Sequence, residues 1–182
     1  FMTFAILVLT SLQGKMGLSG SITAQEALGA HRNQIGSTAK AVIKIAFITE
    51  SLGFLGLTLL LAPLKGLKDA MYEAFFLCIS AFNNAGFALN GNNMTAYVHQ
   101  PMISFIISLL IITGGIGFLV ILDIIKHKRW QKFTLHTKVM VLGTLALNII
   151  GCILYWLLER HNAKTIGGLS EAGQWFASWF MG

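Results

Sequence analysis

Residues 67–87 read LKDAMYEAFFLCISAFNNAGF. As far as Phe82 the apolar residues recur at helical spacing. At Asn83-Asn84-Ala85-Gly86-Phe87 the chain turns polar. The apolar run falls well short of the about 20 residues that a bilayer crossing takes. Long apolar segments flank it on both sides. A short helix running into a polar, glycine-containing turn predicts a re-entrant hairpin. Lipid cannot satisfy backbone polar groups, so such a hairpin exists at membrane depth only where protein buries it or where it lines a watery path. This stretch is therefore the candidate working part of a pore.

Composition points the same way. Charged residues make up 11% of the chain, against about 25% in soluble domains, and the mean hydropathy is +0.70. A soluble domain is excluded on these grounds. The net charge of +6 raises the possibility of a nucleic-acid partner. The basic residues, however, sit in short loops beside apolar spans, which is the pattern of membrane topology. Cys78 and Cys152 lie inside apolar segments and read as small buried residues. No His, Cys, Asp and Glu set has metal-ligand spacing, and no nucleophile is placed with a base.

Working outward, residues 42–61 are long enough to span, with Pro63 as a stop signal. Asp69 is expected to cap the short helix, and Glu73 to favour its positive end. Pro101 opens a second span running to about residue 125. Thr113-Gly114-Gly115-Ile116-Gly117 predicts a break in it, since each glycine costs a helix roughly 1 kcal/mol relative to alanine. Residues 139–158 form a third span. Ser170-Glu171 then cap a second short helix.

Lys15, Arg32, Lys40, Lys44, Lys126, Lys128, Arg129, Lys132 and Lys138 fall on one side of this topology. Lys65, Lys68, Arg160 and Lys164 fall on the other. The richer side is expected to face the cytoplasm, so the hairpin enters from outside. The expected organisation is the end of a span at 1–15, a cytoplasmic loop at 16–39, and a complete span–pore helix–span unit at 40–126. A basic cytoplasmic loop at 127–136 follows, then the first span and truncated pore helix of a further unit at 137–182. The chain opens at Phe1 and closes at residues 175–182 inside apolar runs, so it is expected to be an internal piece of a longer protein.

Ser80-Ala81-Phe82-Asn83-Asn84-Ala85-Gly86-Phe87, Gly114-Gly115-Ile116-Gly117-Phe118 and Leu135-His136-Thr137-Lys138, in this order on this topology, resemble the Trk/Ktr/HKT superfamily of potassium transporters. The resemblance is greatest to the membrane, pore-forming subunit of bacterial Ktr/Trk systems, and it covers nearly the whole chain. It implies an all-α integral membrane fold, a fragment of a pore built from four span–pore helix–span repeats. It implies potassium as the transported substrate, sodium as a coupling ion, and no cofactor bound by this chain. The implied partners are the lipid bilayer, the rest of the same chain, a second copy in a homodimer, and a cytosolic nucleotide-binding regulatory subunit. The implied location is the cell membrane.

On this reading Asn83, Asn84, Ala85, Gly86 and Phe87 supply one quarter of a selectivity filter. Backbone carbonyls of Asn83 to Gly86 would replace the water of a potassium ion. Gly86 gives the backbone its freedom to turn, and the short helix aims its negative end at the ion. The plainer reading is a polar turn between buried helices. Gly114, Gly115 and Gly117 read either as a hinge or gate, or as close helix packing, and packing is favoured. Glu50 is an intramembrane carboxylate, which has a transport role, pairs with a polar group from another helix or sits protonated. Asp123 is expected to be structural, at the cytoplasmic interface. Trp130, Trp156, Trp175 and Trp179 are expected near membrane interfaces. The basic loop 126–132 suits anionic lipid. The competing functions are a non-transporting membrane scaffold and another pore-loop cation channel. An intramembrane enzyme lacks the paired groups it would need.

Overall fold

The computed structural model describes residues 35–182 except 90, 92 and 163. The span end expected at 1–15 and most of the loop expected at 16–39, with Lys15 and Arg32, lie outside the described residues. Helix α1 covers Ile35–Lys65, α2 Leu67–Phe82, α3 Pro101–Gly115, α4 Phe118–His127, α5 Leu135–Glu159 and α6 Glu171–Met181. Short 3-10 turns occupy Asn93–Tyr97 and Trp130–Lys132. Among the described residues every regular element is helical, as the expected all-α membrane fold requires.

Among the described residues two helices are long and apolar enough to cross a membrane, Lys40–Lys65 and Leu135–Glu159, with 26 and 25 residues. At 1.5 Å per residue each reaches about 38 Å, more than the about 30 Å of a hydrocarbon core. α2 has 16 residues and reaches only about 24 Å. The pair α3 and α4 is apolar enough to cross together, but it is bent by 92° at Ile116–Gly117. The break expected in TGGIG is therefore present. Gly117 holds φ +92 there, a conformation that side chains disfavour.

Two local expectations are corrected. Asp69 does not cap α2. The N–H of Gly66 donates to the Ala62 carbonyl and closes α1, and Gly66 then reverses the chain at φ 83, so α2 starts directly at Leu67. No linker is left to cap, and Asp69 sits exposed in the first turn. Nor does Pro63 end α1, which runs on to Lys65 with the proline in its last turn.

α2 lies between α1 and α3. Its buried residues Ala70, Ala74, Leu77, Cys78 and Ala81 follow the three-four spacing of one helix face. They share a core with Leu57 and Leu61 of α1, Ile103, Ile107 and Leu110 of α3, and Tyr97. Lipid tails are as apolar as leucine, so this core is held by close packing rather than by the hydrophobic effect. Gly53 shows how close: a Cβ there would stand 2.8 Å from Leu110 Cδ2 and 3.1 Å from Cys78 Sγ. The hydroxyls of Ser108 and Thr113 donate to the carbonyls of Ser104 and Leu109 within α3, at 2.9 and 2.6 Å.

α5 and α6 repeat the order of α1 and α2, a long apolar helix followed by a short one packed on it. Ser170 caps α6 as expected, its Oγ accepting from the Gly173 N–H at 3.3 Å. Thr134 caps α5 in the same way. Asp123 of α4 has the structural role expected of it. Its carboxylate accepts from the Thr134 N–H and hydroxyl, both at 2.9 Å, and meets His127 Nδ1 at 2.6 Å. Trp156 and Trp175 stack at 4.7 Å, joining α5 to α6, and the Arg160 guanidinium lies over the Trp156 ring.

Candidate functional site

Helix α2 ends at Phe82 because its last amides fold back on it. The Asn83, Asn84 and Ala85 N–H groups donate to the carbonyls of Ile79, Ala81 and Ser80 at 3.0, 3.0 and 2.8 Å. Asn84 takes φ 53 and Gly86 φ 73, both left-handed, so the chain reverses within residues 83–87. Ser80 then ties down the exit. Its hydroxyl donates to the Phe87 carbonyl at 2.7 Å and accepts from the Phe87 N–H at 2.9 Å.

The hydrogen-bond account of the turn is one-sided. The amides of Asn83, Asn84, Ala85 and Phe87 are used inward, toward α2. Among the described residues no hydrogen bond ends on the carbonyl oxygens of Asn84, Ala85 or Gly86. Residues 83–87 are all exposed. A run of unpaired carbonyls thus lies beside the C-terminus of α2, where the helix dipole adds partial negative charge. Such a place attracts a cation and repels an anion.

The glycines of α3 back this turn. A Cβ at Gly114 would stand 1.8 Å from the Phe82 carbonyl oxygen, and one at Gly115 3.6 Å from the Asn84 side chain. The structure therefore brings Gly114 and Gly115 to the turn. Gly117 has nothing within 4 Å of its Cβ position and stands instead at the bend. A cavity of about 840 Å³ opens from Asn84, Gly86 and Phe87 toward Thr165, Phe176 and Phe180. Glu50 is not in this group. It is half-buried on α1, and its main-chain carbonyl accepts from Cys78 Sγ at 3.0 Å.

The family described as TrkH, cation transport protein, matches residues 1–181. The chain belongs to the TrkH family. TrkH relatives bear this out along the whole chain. The Ktr system potassium uptake protein B of Bacillus subtilis is 40% identical over 185 residues, covering 100% of this chain and 41% of the relative. Its counterpart in Vibrio alginolyticus is 39% identical, covering 99% and 40%. The potassium/sodium uptake protein NtpJ of Enterococcus hirae is 32% identical over 171 residues, covering 92% and 38%. This TrkH chain thus spans about two fifths of the length of these relatives. The family and the long apolar helices make it an integral membrane protein, in keeping with the resemblance carried by NNAGF and TGGIGF.

The contacts of four side chains along the hairpin were not expected from the sequence. Ser80 had a signal, as the hydroxyl of an otherwise apolar segment just before the polar turn. Lys65, Glu73 and Tyr97 gave less. Glu73 was expected to serve the helix dipole, but it is 5% exposed. It receives Lys65 Nζ at 2.7 Å and the Tyr97 hydroxyl at 2.5 Å. Lys65 also lies 5.3 Å from the centre of the Tyr97 ring.

Proposed function

We propose that this chain is part of a potassium-uptake pore of the cell membrane, and that residues 83–87 are one segment of its selectivity filter. One observation carries the reading: the unpaired carbonyls of Asn84, Ala85 and Gly86 at the negative end of a helix too short to span. Potassium gives up its water only to a comparable set of oxygens, and backbone carbonyls supply these without adding net charge. Asn83, Asn84, Ala85 and Gly86 would coordinate through the main chain, and Phe87, held by Ser80, would fix the exit.

Three further parts of the reading rest on the family resemblance. Sodium would act as the coupling ion, in keeping with a relative named for potassium and sodium uptake. The protein would work as a homodimer. A cytosolic nucleotide-binding subunit would regulate it, and the basic loop 126–132 offers such a partner, or anionic lipid, a charged surface. The reading is that of a transporter, not an enzyme.

The test is potassium flux into liposomes holding the full-length protein. Among the described residues no atom lies within 4 Å of a Cβ at Gly86, so a side chain there acts through the backbone. Leaving glycine at φ 73 costs about 1–3 kcal/mol of strain, enough for roughly a tenfold loss of rate. Gly86→Ala should therefore lower flux by about that factor with normal expression, and Gly86→Asp should lower it further and disturb ion preference. Wild-type flux and selectivity in Gly86→Asp would rule out the filter assignment.

A further inference from the structure

The segment that leaves the turn is tied to α2 at two points. Ser80 holds Phe87 by both its N–H and its carbonyl. Glu73 holds Tyr97 through the tyrosine hydroxyl. Glu73 and Ser80 are seven residues apart and share one face of α2, because seven residues make nearly two full helical turns. Both are buried, as is Tyr97. Lys65, at the end of α1, completes the second tie by its ion pair with Glu73.

The geometry gives the lower tie a role. Along α2 the two anchor residues are about 10.5 Å apart. The ten residues from Phe87 to Tyr97 could extend to about 33 Å. The chain between the anchors is therefore longer than the gap it closes, so the upper tie does not set its path alone; the packing of Ala88, Met94 and Tyr97 on the core and the lower tie contribute to it. A carboxylate that accepts from both an ammonium and a phenol, out of water, is held by charge-assisted hydrogen bonds with defined directions. It fixes the ends of α1, α2 and the Asn93–Tyr97 turn relative to one another.

We propose that Lys65, Glu73 and Tyr97 form a clamp at the base of the hairpin that positions residues 83–87 for ion discrimination. None of the three touches the ion; they are positioning residues. The proposal rests on the filter reading above and deepens it. Loosening the clamp lets the return segment shift against α2, and the carbonyl set loses its fixed spacing. The ion preference should then fall before the capacity to conduct is lost.

The experiment uses the full-length protein in liposomes, with potassium and sodium flux measured on the same preparations. Tyr97→Phe removes one hydroxyl and keeps the buried ring. Glu73→Gln keeps the shape and removes the charge. Lys65→Arg keeps the charge and serves as the rescuing substitution beside Lys65→Met. The expected result is a fall of about fivefold in the potassium-to-sodium flux ratio for Tyr97→Phe and Lys65→Met, with Lys65→Arg near wild type. Hydrogen exchange of peptides covering residues 88–100 should quicken in the same variants. Should Glu73→Gln fail to fold, Tyr97→Phe and Lys65→Met carry the test. Unchanged flux ratio and unchanged exchange in a folded Tyr97→Phe and Lys65→Met would overturn the clamp. Gly86→Asp, run alongside, separates the two readings: an altered ratio there with none in the clamp variants sinks the clamp only, and no change in either sinks the filter reading.

Discussion

A Cβ on Gly114 would be 1.8 Å from the oxygen of Phe82, and that oxygen belongs to backbone that cannot rotate away. At Gly53 the nearest atom, at 2.8 Å, is a methyl of Leu110, the free end of a side chain. At Gly143 of α5 nothing lies within 4 Å. The three glycines therefore have different uses, and alanine tells them apart. Gly143→Ala should leave stability equal to wild type or raise it by up to about 1 kcal/mol, since alanine is the better helix former. Gly53→Ala should cost less than Gly114→Ala, which faces the upper end of the about 1–3 kcal/mol expected of overpacking. Thermal unfolding of the purified protein in detergent gives the order directly. A Gly114→Ala protein that melts with Gly143→Ala would contradict the close approach of α3 to the end of α2. Phe82 immediately precedes the turn, so this contact also bears on where the turn sits.

Among the elements, α3 and α4 show what glycine does to a helix rather than beside one. Gly117 sits at φ +92 with open space around it, so its constraint is conformational. Gly117→Ala takes away the residue that tolerates this dihedral and supplies a helix former. The expected outcome is a straighter α3–α4 pair. Spin labels at the exposed positions Met102 and Ile125 would then move apart by roughly 10 Å, from the lengths of the two arms at 1.5 Å per residue. An unchanged distance would show that the packing of α4 on α1 and α5, not Gly117, sets the bend. The sequence was most informative at this scale. The switch from Phe82 to Asn83 marked the end of α2, three glycines in TGGIG marked the break, and Ser170 marked the start of α6, because each is a local backbone preference. It was silent on the partners of Glu73, because Lys65 and Tyr97 lie 8 and 24 residues away in the chain. Hydrophobic periodicity says which face is buried, not which polar side chains meet on it. The same holds for Gly114: its spacing was visible, but its neighbour was not. Asp69 failed as a cap for the opposite reason, a local signal overridden when Gly66 joined α1 to α2 without a linker.

At the scale of the whole molecule, α1 and α5 differ in how much of their apolar surface is covered. Over its most apolar 18 residues α1 is 28% buried and α5 6%, and Leu142, Ile149, Ile153 and Leu157 of α5 stand exposed. In a membrane such surface rests either against lipid or against other helices. The carbonyls of residues 83–87 make the same point chemically. One turn presents oxygens from one direction, and a dehydrated potassium ion needs them from several, as rings of loops provide. The relatives matched here are about two and a half times as long as this chain, given the 40% and 41% of their length it covers. On the proposed reading, the described helices would form one wall of a pore. Residues 1–182 alone, purified and reconstituted, should show potassium flux no higher than empty liposomes, while the full-length protein under the same conditions conducts. The isolated chain should also associate in detergent more readily than the full-length protein, which chemical crosslinking would detect through its exposed α5 face. Selective potassium flux from residues 1–182 alone would mean that several copies can assemble one filter from identical turns, and the one-quarter assignment of residues 83–87 would have to give way to a symmetric oligomer.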